Sequence, residues 1–278
     1  MKKIIAAIDA RHFTEGELES FYYIAREISG AVTVVLLENV AALGTSLANV
    51  YTDAYTLDYN KIAMEARKHY ETERKESVEK FNRICINNNL DFRLHETTGD
   101  PVEEIIKESR FADLLLVSNT TSFAVLRDSN PPEFVKDVLA RAQCPVMVLP
   151  EKMHPIKELV FAYNGSFSSV YAIRQLTQLF NSFSDAFVNV VYVAENDNQD
   201  IPYEKLLREY LELHYEDVRF TVLNGNPAAE LLALLLHRQN CLVTYGAYGR
   251  SKLSRFFHRS DAESILRTVN VPVFITHP

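Results

Sequence analysis

Apolar residues along this chain come in short continuous runs, and the stretches between them place their apolar positions at helical spacing. "KKIIAAID" precedes an amphipathic stretch from about Thr14 to Ser29, and "AVTVVLLEN" follows. A long polar stretch with helical spacing, about Asn60 to Asn88, comes next. "DFRLHETTGD" then leads into "PVEEIIKESR", "ADLLLVSN", "PEFVKDVLARAQ" and "CPVMVLP". Buried strands alternating with helices in this way predict βα units and a largely parallel sheet.

The pattern then restarts. "ELVFAYNGS" precedes a helical stretch from about Ser168 to Phe183, followed by "AFVNVVYVAE", "YEKLLREYLELH", "VRFTVLNGN" and "PAAELLALLLHRQ". "CLVTYG", "DAESILRTVN" and "VPVFITHP" complete it. Gly99 in "GDP" answers Gly225 in "GNP", Asp113 answers Asn240, and Pro145 answers Pro272, so the later parts of the halves align almost without gaps. The earlier parts differ: the first half is longer, with the excess around Ala41 to Tyr70. Two domains are predicted, 1–150 and 156–278, in keeping with 278 residues at roughly 150 per domain. The linker "PEKMHPIK", Pro150 to Lys157, is too short for wide independent motion, so the halves are expected to pack together.

Composition changes this picture little. Hydrophobic residues make up 47% and charged residues 24% of the chain, ordinary for a globular protein. No apolar run approaches the roughly 20 residues that span a bilayer, and the short N-terminal run stopping at Asp9 reads as a strand, not a leader. Cys85, Cys144 and Cys241 are too few for a disulfide framework, which points to the cytoplasm. A net charge of −8 argues against nucleic-acid binding over a basic surface. P-loop, dinucleotide, zinc and nucleophile-elbow motifs are missing. His214 and His237 read as surface histidines, and the tyrosine-rich "NVYTDAYTLDYNK" as a packed loop or partner surface.

Ligands of open parallel sheets sit at the carboxyl ends of the strands. One such place stands out, "TYGAYGRSKLSRFFHRS" from Thr244 to Ser260. Gly246 and Gly249 leave room for a ligand at the backbone, and Arg250, Lys252, Arg255 and Arg259 bring positive charge with no acid among them. Ser260 precedes a helical stretch whose free N–H groups favour a phosphate. The same "Ser260-Asp-Ala-Glu263" is also a capping box that needs no ligand. The aligned window of the first half has Asn119 and Ser122 in place of the glycines, and a lone Arg127 against Asp128 and Glu133. Asp9 and Glu38 end neighbouring strands, without a partner acid or metal motif.

The repeat, the element order and this loop together resemble the universal stress protein family in its tandem form. The resemblance spans essentially the whole chain, through "IIAAIDARHFTEGELES", the "GDP" and "GNP" turns, "ADLLLVSN", the loop just quoted, and the closing "CPVMVLP" and "VPVFITHP". It implies two open parallel five-stranded sheets with helices on both faces, of the adenine nucleotide alpha hydrolase-like kind. Their final strands would pair across an internal pseudo-dimer, and a homodimer of the chain is conceivable. ATP-binding members carry G-x2-G-x9-G-[ST]; here Gly246 and Gly249 fit, nine residues follow, and Arg259-Ser260 stands where Gly-Ser or Gly-Thr belongs. The aspartate that ends the family's first strand is matched by Asp9, and in the second half by Asn164.

The resemblance therefore implies a cytoplasmic stress-response protein of regulatory type. ATP or another adenine nucleotide would bind in the second half through Asn164, Val193, Gly246, Gly249, Arg250, Arg259 and Ser260, with Mg2+ only as a companion of ATP. No catalytic residue is evident, so hydrolysis would at most be slow. The alternative is a scaffold of the same fold without nucleotide, in which Arg259 fills the phosphate's place and the first-half insertion meets a protein partner.

Overall fold

The computed structural model describes residues 1–39, 59–124, 127–194, 200–246 and 259–276. The first half runs β1 (Lys2–Asp9), α1 (Glu15–Glu27), β2 (Gly30–Leu37), α2 (Tyr59–Asn87), β3 (Phe92–Glu96), α3 (Pro101–Ser109), β4 (Leu114–Ser118), α4 (Glu133–Arg141) and β5 (Val146–Leu149). The second runs β6 (Glu158–Tyr163), α5 (Phe167–Leu179), a short 3-10 turn (Asn181–Phe183), β7 (Phe187–Ala194), α6 (Glu204–Glu212), β8 (Val218–Asn224), α7 (Pro227–Leu235), β9 (Cys241–Gly246), α8 (Arg259–Thr268) and β10 (Val273–Thr276). Much of the first-half excess is the helix α2; residues 40–58 of it, with most of the tyrosine-rich stretch, lie outside the described residues.

Among the described residues the strands form one ten-stranded sheet, in the order β3-β2-β1-β4-β5-β10-β9-β6-β7-β8. The two expected five-stranded sets are present, each parallel within itself. They meet through β5 and β10, which pair antiparallel with Val273 opposite Val148, Phe274 opposite Met147 and Ile275 opposite Val146. The closing runs "PVMVL" and "PVFIT" thus make the internal contact expected of them.

Alternation along each strand sorts the core into two layers. Ile4, Ala6 and Ile8 of β1 face the layer of Phe21 and Ile24 from α1, and the same layer continues to Ile173 and Leu176 of α5. Ile5 and Ala7 face Ile105 and Val135, and that layer continues to Leu231 and Ile265. Both layers cross the β5–β10 seam, through Met147 and Phe274 on one side and Val146 and Val273 on the other.

The repeat seen in sequence reappears in the bonding. Asp100 and Asn226 cap α3 and α7, accepting from Glu103 N and Ala229 N at 3.0 and 3.1 Å, and Pro101 and Pro227 open those helices. Such caps satisfy N–H groups that the helix itself leaves free. The linker is fastened at both sides: Ile156 N donates to the Tyr23 hydroxyl of α1 at 2.9 Å, and Asn240 Nδ2 donates to Pro155 O at 3.0 Å.

Phe274 is fully buried at the seam and meets Phe180 edge to face, with ring centroids 6.5 Å apart. Phe274→Ala is expected to lower stability by about 3–5 kcal/mol, the cost of emptying a buried aromatic site. Urea unfolding followed by fluorescence checks it, and a loss below about 1 kcal/mol contradicts a seam that holds the halves together.

Candidate functional site

In the second half β6 lies between β7 and β9, and the chain reverses its direction of travel across the sheet there. Residues of α5 and α6 pack into one core layer, and residues of α7 and α8 into the other. The carboxyl ends of β6 and β9 therefore flank the switch point where such sheets take ligands. Asn164, Val193 and Gly246 stand at or beside the ends of β6, β7 and β9.

Asn164 is engaged by its own turn. Its Oδ1 accepts from Ser166 N at 3.0 Å and from Ser166 Oγ at 2.6 Å. Ser166 in turn caps α5, accepting from Ser169 N at 3.3 Å, and its hydroxyl lies 2.9 Å from that of Ser168. The result is a neutral cluster of one amide and three hydroxyls at a helix N-terminus. Ser168 and Ser169 were absent from the sequence-based site, although "NGSFSS" directly after a strand is the signal that would have found them.

Gly246 has a reason of its own to be glycine. A Cβ there would stand 2.3 Å from Ser168 O and 2.6 Å from Ser169 N, so β9 ends directly against the first turn of α5. The fold requires this glycine whether or not a ligand approaches it. Val193, nearly buried, lines a crevice with Asn164, Ala162 and Pro227. That crevice has a volume of about 10 Å³, room for no more than one water. Gly249 and Arg250, like the rest of 247–258, lie outside the described residues. Arg259 and Ser260 open α8, and their side chains lie outside the description.

The equivalent crevice of the first half is chemically opposite. Asp9 Oδ1 accepts from Arg11 N at 3.0 Å, and Oδ2 lies 2.7 Å from His12 Nδ1. Where α5 has Ser169 in its first turn, α1 has Glu17, reached by the Thr121 hydroxyl at the long distance of 3.5 Å. Burial pushes the Glu17 carboxyl up to about 7, only partly offset by hydrogen bonds from Thr14 and Thr121; Asp9 adds repulsion. Glu38 Oε2 and Asn119 Oδ1, at the ends of β2 and β4, are buried without a hydrogen-bond partner. Acceptors and acids gather here, met by the Lys80 ammonium acting on Glu17 and the His12 ring on Asp9.

The family model described as "Universal stress protein family" matches residues 155–277. The second half is a universal stress protein domain. Solved structures extend the likeness in fold to both halves. A universal stress protein from Archaeoglobus fulgidus DSM 4304 aligns with a TM-score of 0.67 at 16% identity, covering 99% of this chain and 96% of that one. A functionally unknown protein from Pseudomonas aeruginosa PAO1 aligns with a TM-score of 0.56 at 12% identity, covering 100% and 93%. None of the curated proteins matches the chain. The universal stress protein fold thus repeats in tandem here, one copy with an acidic crevice and one with a neutral crevice.

The Glu17 carboxyl makes the acidic crevice sensitive to pH. Its proton is held up to about pH 7 in the folded chain but is lost near 4.5 when unfolded. The folded state binds more protons in that window, so this group lowers stability as pH rises from about 4.5 to 7. Glu17→Gln is expected to remove that slope and to stabilise the protein at pH 8, by on the order of 2 kcal/mol, while changing little at pH 4. Unfolding curves at the two pH values measure it.

Proposed function

We propose that this protein is a cytoplasmic stress-response protein of regulatory type, binding ATP or another adenine nucleotide in its second half. The observation that carries this reading is the contrast between two crevices at the same place in the fold. Around the first stand Asp9, Glu17 and Glu38; beside the second stand Asn164 and the three serines that open α5. In sequence, β9 is followed by Arg250, Lys252 and Arg255 and by Arg259 of α8. Two copies of one fold need not differ in this way, and only the second suits an anion.

In this reading the N–H groups opening α8 and the hydroxyl of Ser260 hold the terminal phosphates. Gly249 lets the loop backbone approach, Arg250 and Arg259 neutralise charge, and the backbone near Val193 receives the base. Magnesium would arrive with the phosphates. The crevice beside Val193 must open to admit an adenine ring, since about 10 Å³ does not hold one. That same closure favours a second reading, a scaffold of this fold that takes no nucleotide.

Thermal unfolding in the presence of ATP separates the two. ATP at 100 times its dissociation constant is expected to add about 2.7 kcal/mol of stability. Arg250→Ala and Arg259→Gly are each expected to weaken the effect roughly tenfold, as loss of a charge-assisted contact does. Gly246→Val is unsuitable because it strikes α5 directly. The absence of a shift at millimolar ATP leaves the scaffold reading standing alone.

A further inference from the structure

A second concavity in this half lies apart from the polar crevice. It has a volume of about 340 Å³ and is lined by α5, α6 and the turns that precede them. Tyr163, Ile173, Leu207 and Tyr210 contribute to its walls, with Phe167, Tyr203 and Leu206 beside them. The last three are exposed by 68%, 69% and 65%, a concentration of large apolar side chains that a solvated surface does not call for. The position of Phe167 at the start of α5 is held by Glu15 at the start of α1, so the fold does not demand an aromatic ring there.

The backbone around the groove is set up at a cost. Tyr203 precedes α6 in the left-handed region, φ 55° and ψ 26°, and its side chain makes no capping hydrogen bond. That conformation is uncommon for a bulky residue, and the position favours Ser, Thr, Asp or Asn. A tyrosine here serves neither the turn nor the helix; what it supplies is a ring on the groove wall. Gly165 is also left-handed, φ 76°, and a Cβ on it would stand 2.7 Å from Pro202 Cβ. The Tyr163 hydroxyl donates to Pro202 O at 2.7 Å. These contacts fasten the turn before α6 onto the end of β6, so the aromatic wall is in place before any ligand arrives.

One cation stands at this apolar site. Arg174 is exposed, lies beside the Tyr210 hydroxyl, and has no carboxylate partner among the described residues. Arg208, on the neighbouring helix, is by contrast held between Glu204 and Glu212. A ligand-sized concavity with aromatic walls and a single convergent charge is the usual design of a small-molecule site.

We propose that the groove between α5 and α6 binds a small amphipathic anion, an aromatic or branched apolar body whose carboxylate or equivalent group meets Arg174. The site stands independently of the nucleotide reading, because none of its polar contacts belongs to the loop or to α8.

The probe is 1-anilinonaphthalene-8-sulfonate, whose fluorescence rises in apolar sites, with neutral N-phenyl-1-naphthylamine as its uncharged counterpart. The native protein is expected to bind one equivalent of the sulfonate saturably, and 1-naphthoate to displace it. Leu206→Asp is expected to weaken both probes at least tenfold. Arg174→Glu is expected to weaken the sulfonate about tenfold and leave the neutral probe within twofold. Phe111→Ser, which alters an exposed apolar residue elsewhere, is expected to leave both unchanged. Circular dichroism confirms that each variant is folded; ATP at saturating concentration is expected to leave the probe bound. Non-saturable binding overturns the proposal, as does equal response of the two probes to Arg174→Glu. A dimer in sedimentation that Leu206→Asp dissociates, with no probe bound to the native protein, also overturns it and assigns the face to a second copy of the chain.

Discussion

The antiparallel pairing of β5 with β10 is the contact on which the rest of the architecture depends. Each strand is four residues long, wholly buried, and closes its own five-stranded set. Left alone, each would present a bare apolar edge, the kind of surface that recruits other chains. Paired, they let two core layers run unbroken from one half into the other. The pairing also fixes direction. Strands within each half are parallel and the seam is antiparallel, so the carboxyl ends of the two sets point to opposite ends of the sheet. The two crevices therefore cannot share a ligand, and each was free to acquire its own chemistry.

That freedom is visible at matched positions. The first turn of α1 carries Glu17 where α5 carries Ser169, and β1 ends in Asp9 where β6 is followed by Asn164. These two replacements remove two acids from one crevice without altering a strand or a cap. Thr14 and Ser166 still cap their helices, accepting from Glu17 N and Ser169 N. The fold tolerates either set because the caps, not the acids, satisfy the helix ends. The fold therefore does not demand charge at these positions.

The alternation of apolar runs with helical spacing made the parallel sets readable, and the repeat of Gly99 with Gly225 and Pro145 with Pro272 made the two halves readable. The closing strands were paired correctly through resemblance, because their buried runs admit one partner of the same kind. The site was read less completely. Gly246 carries a ligand-like spacing in sequence, yet the contact that demands it comes from Ser168, far away along the chain. Glu17 reads as an ordinary acid in a first helical turn; only the packing of α1 against the segment after β4 desolvates it. Tyr203 offers no signal in sequence, since a left-handed tyrosine before a helix breaks the local rule that would predict it.

Departures from local rules cluster around one short segment. The turn from Tyr163 to Ser166 includes the positive φ of Gly165, the internal bonds of Asn164, and the Tyr163 hydroxyl that holds Pro202. Tyr163 borders both the polar crevice and the apolar groove, and Asn164 and Gly165 line one each. This turn is thus the wall between two concavities of different character. A wall built from a buried ring, a left-handed glycine and a closed hydrogen-bond set has little room to relax. Its rigidity lets a polar and an apolar concavity stand side by side in one half of the fold, each lined by its own residues on either side of Tyr163.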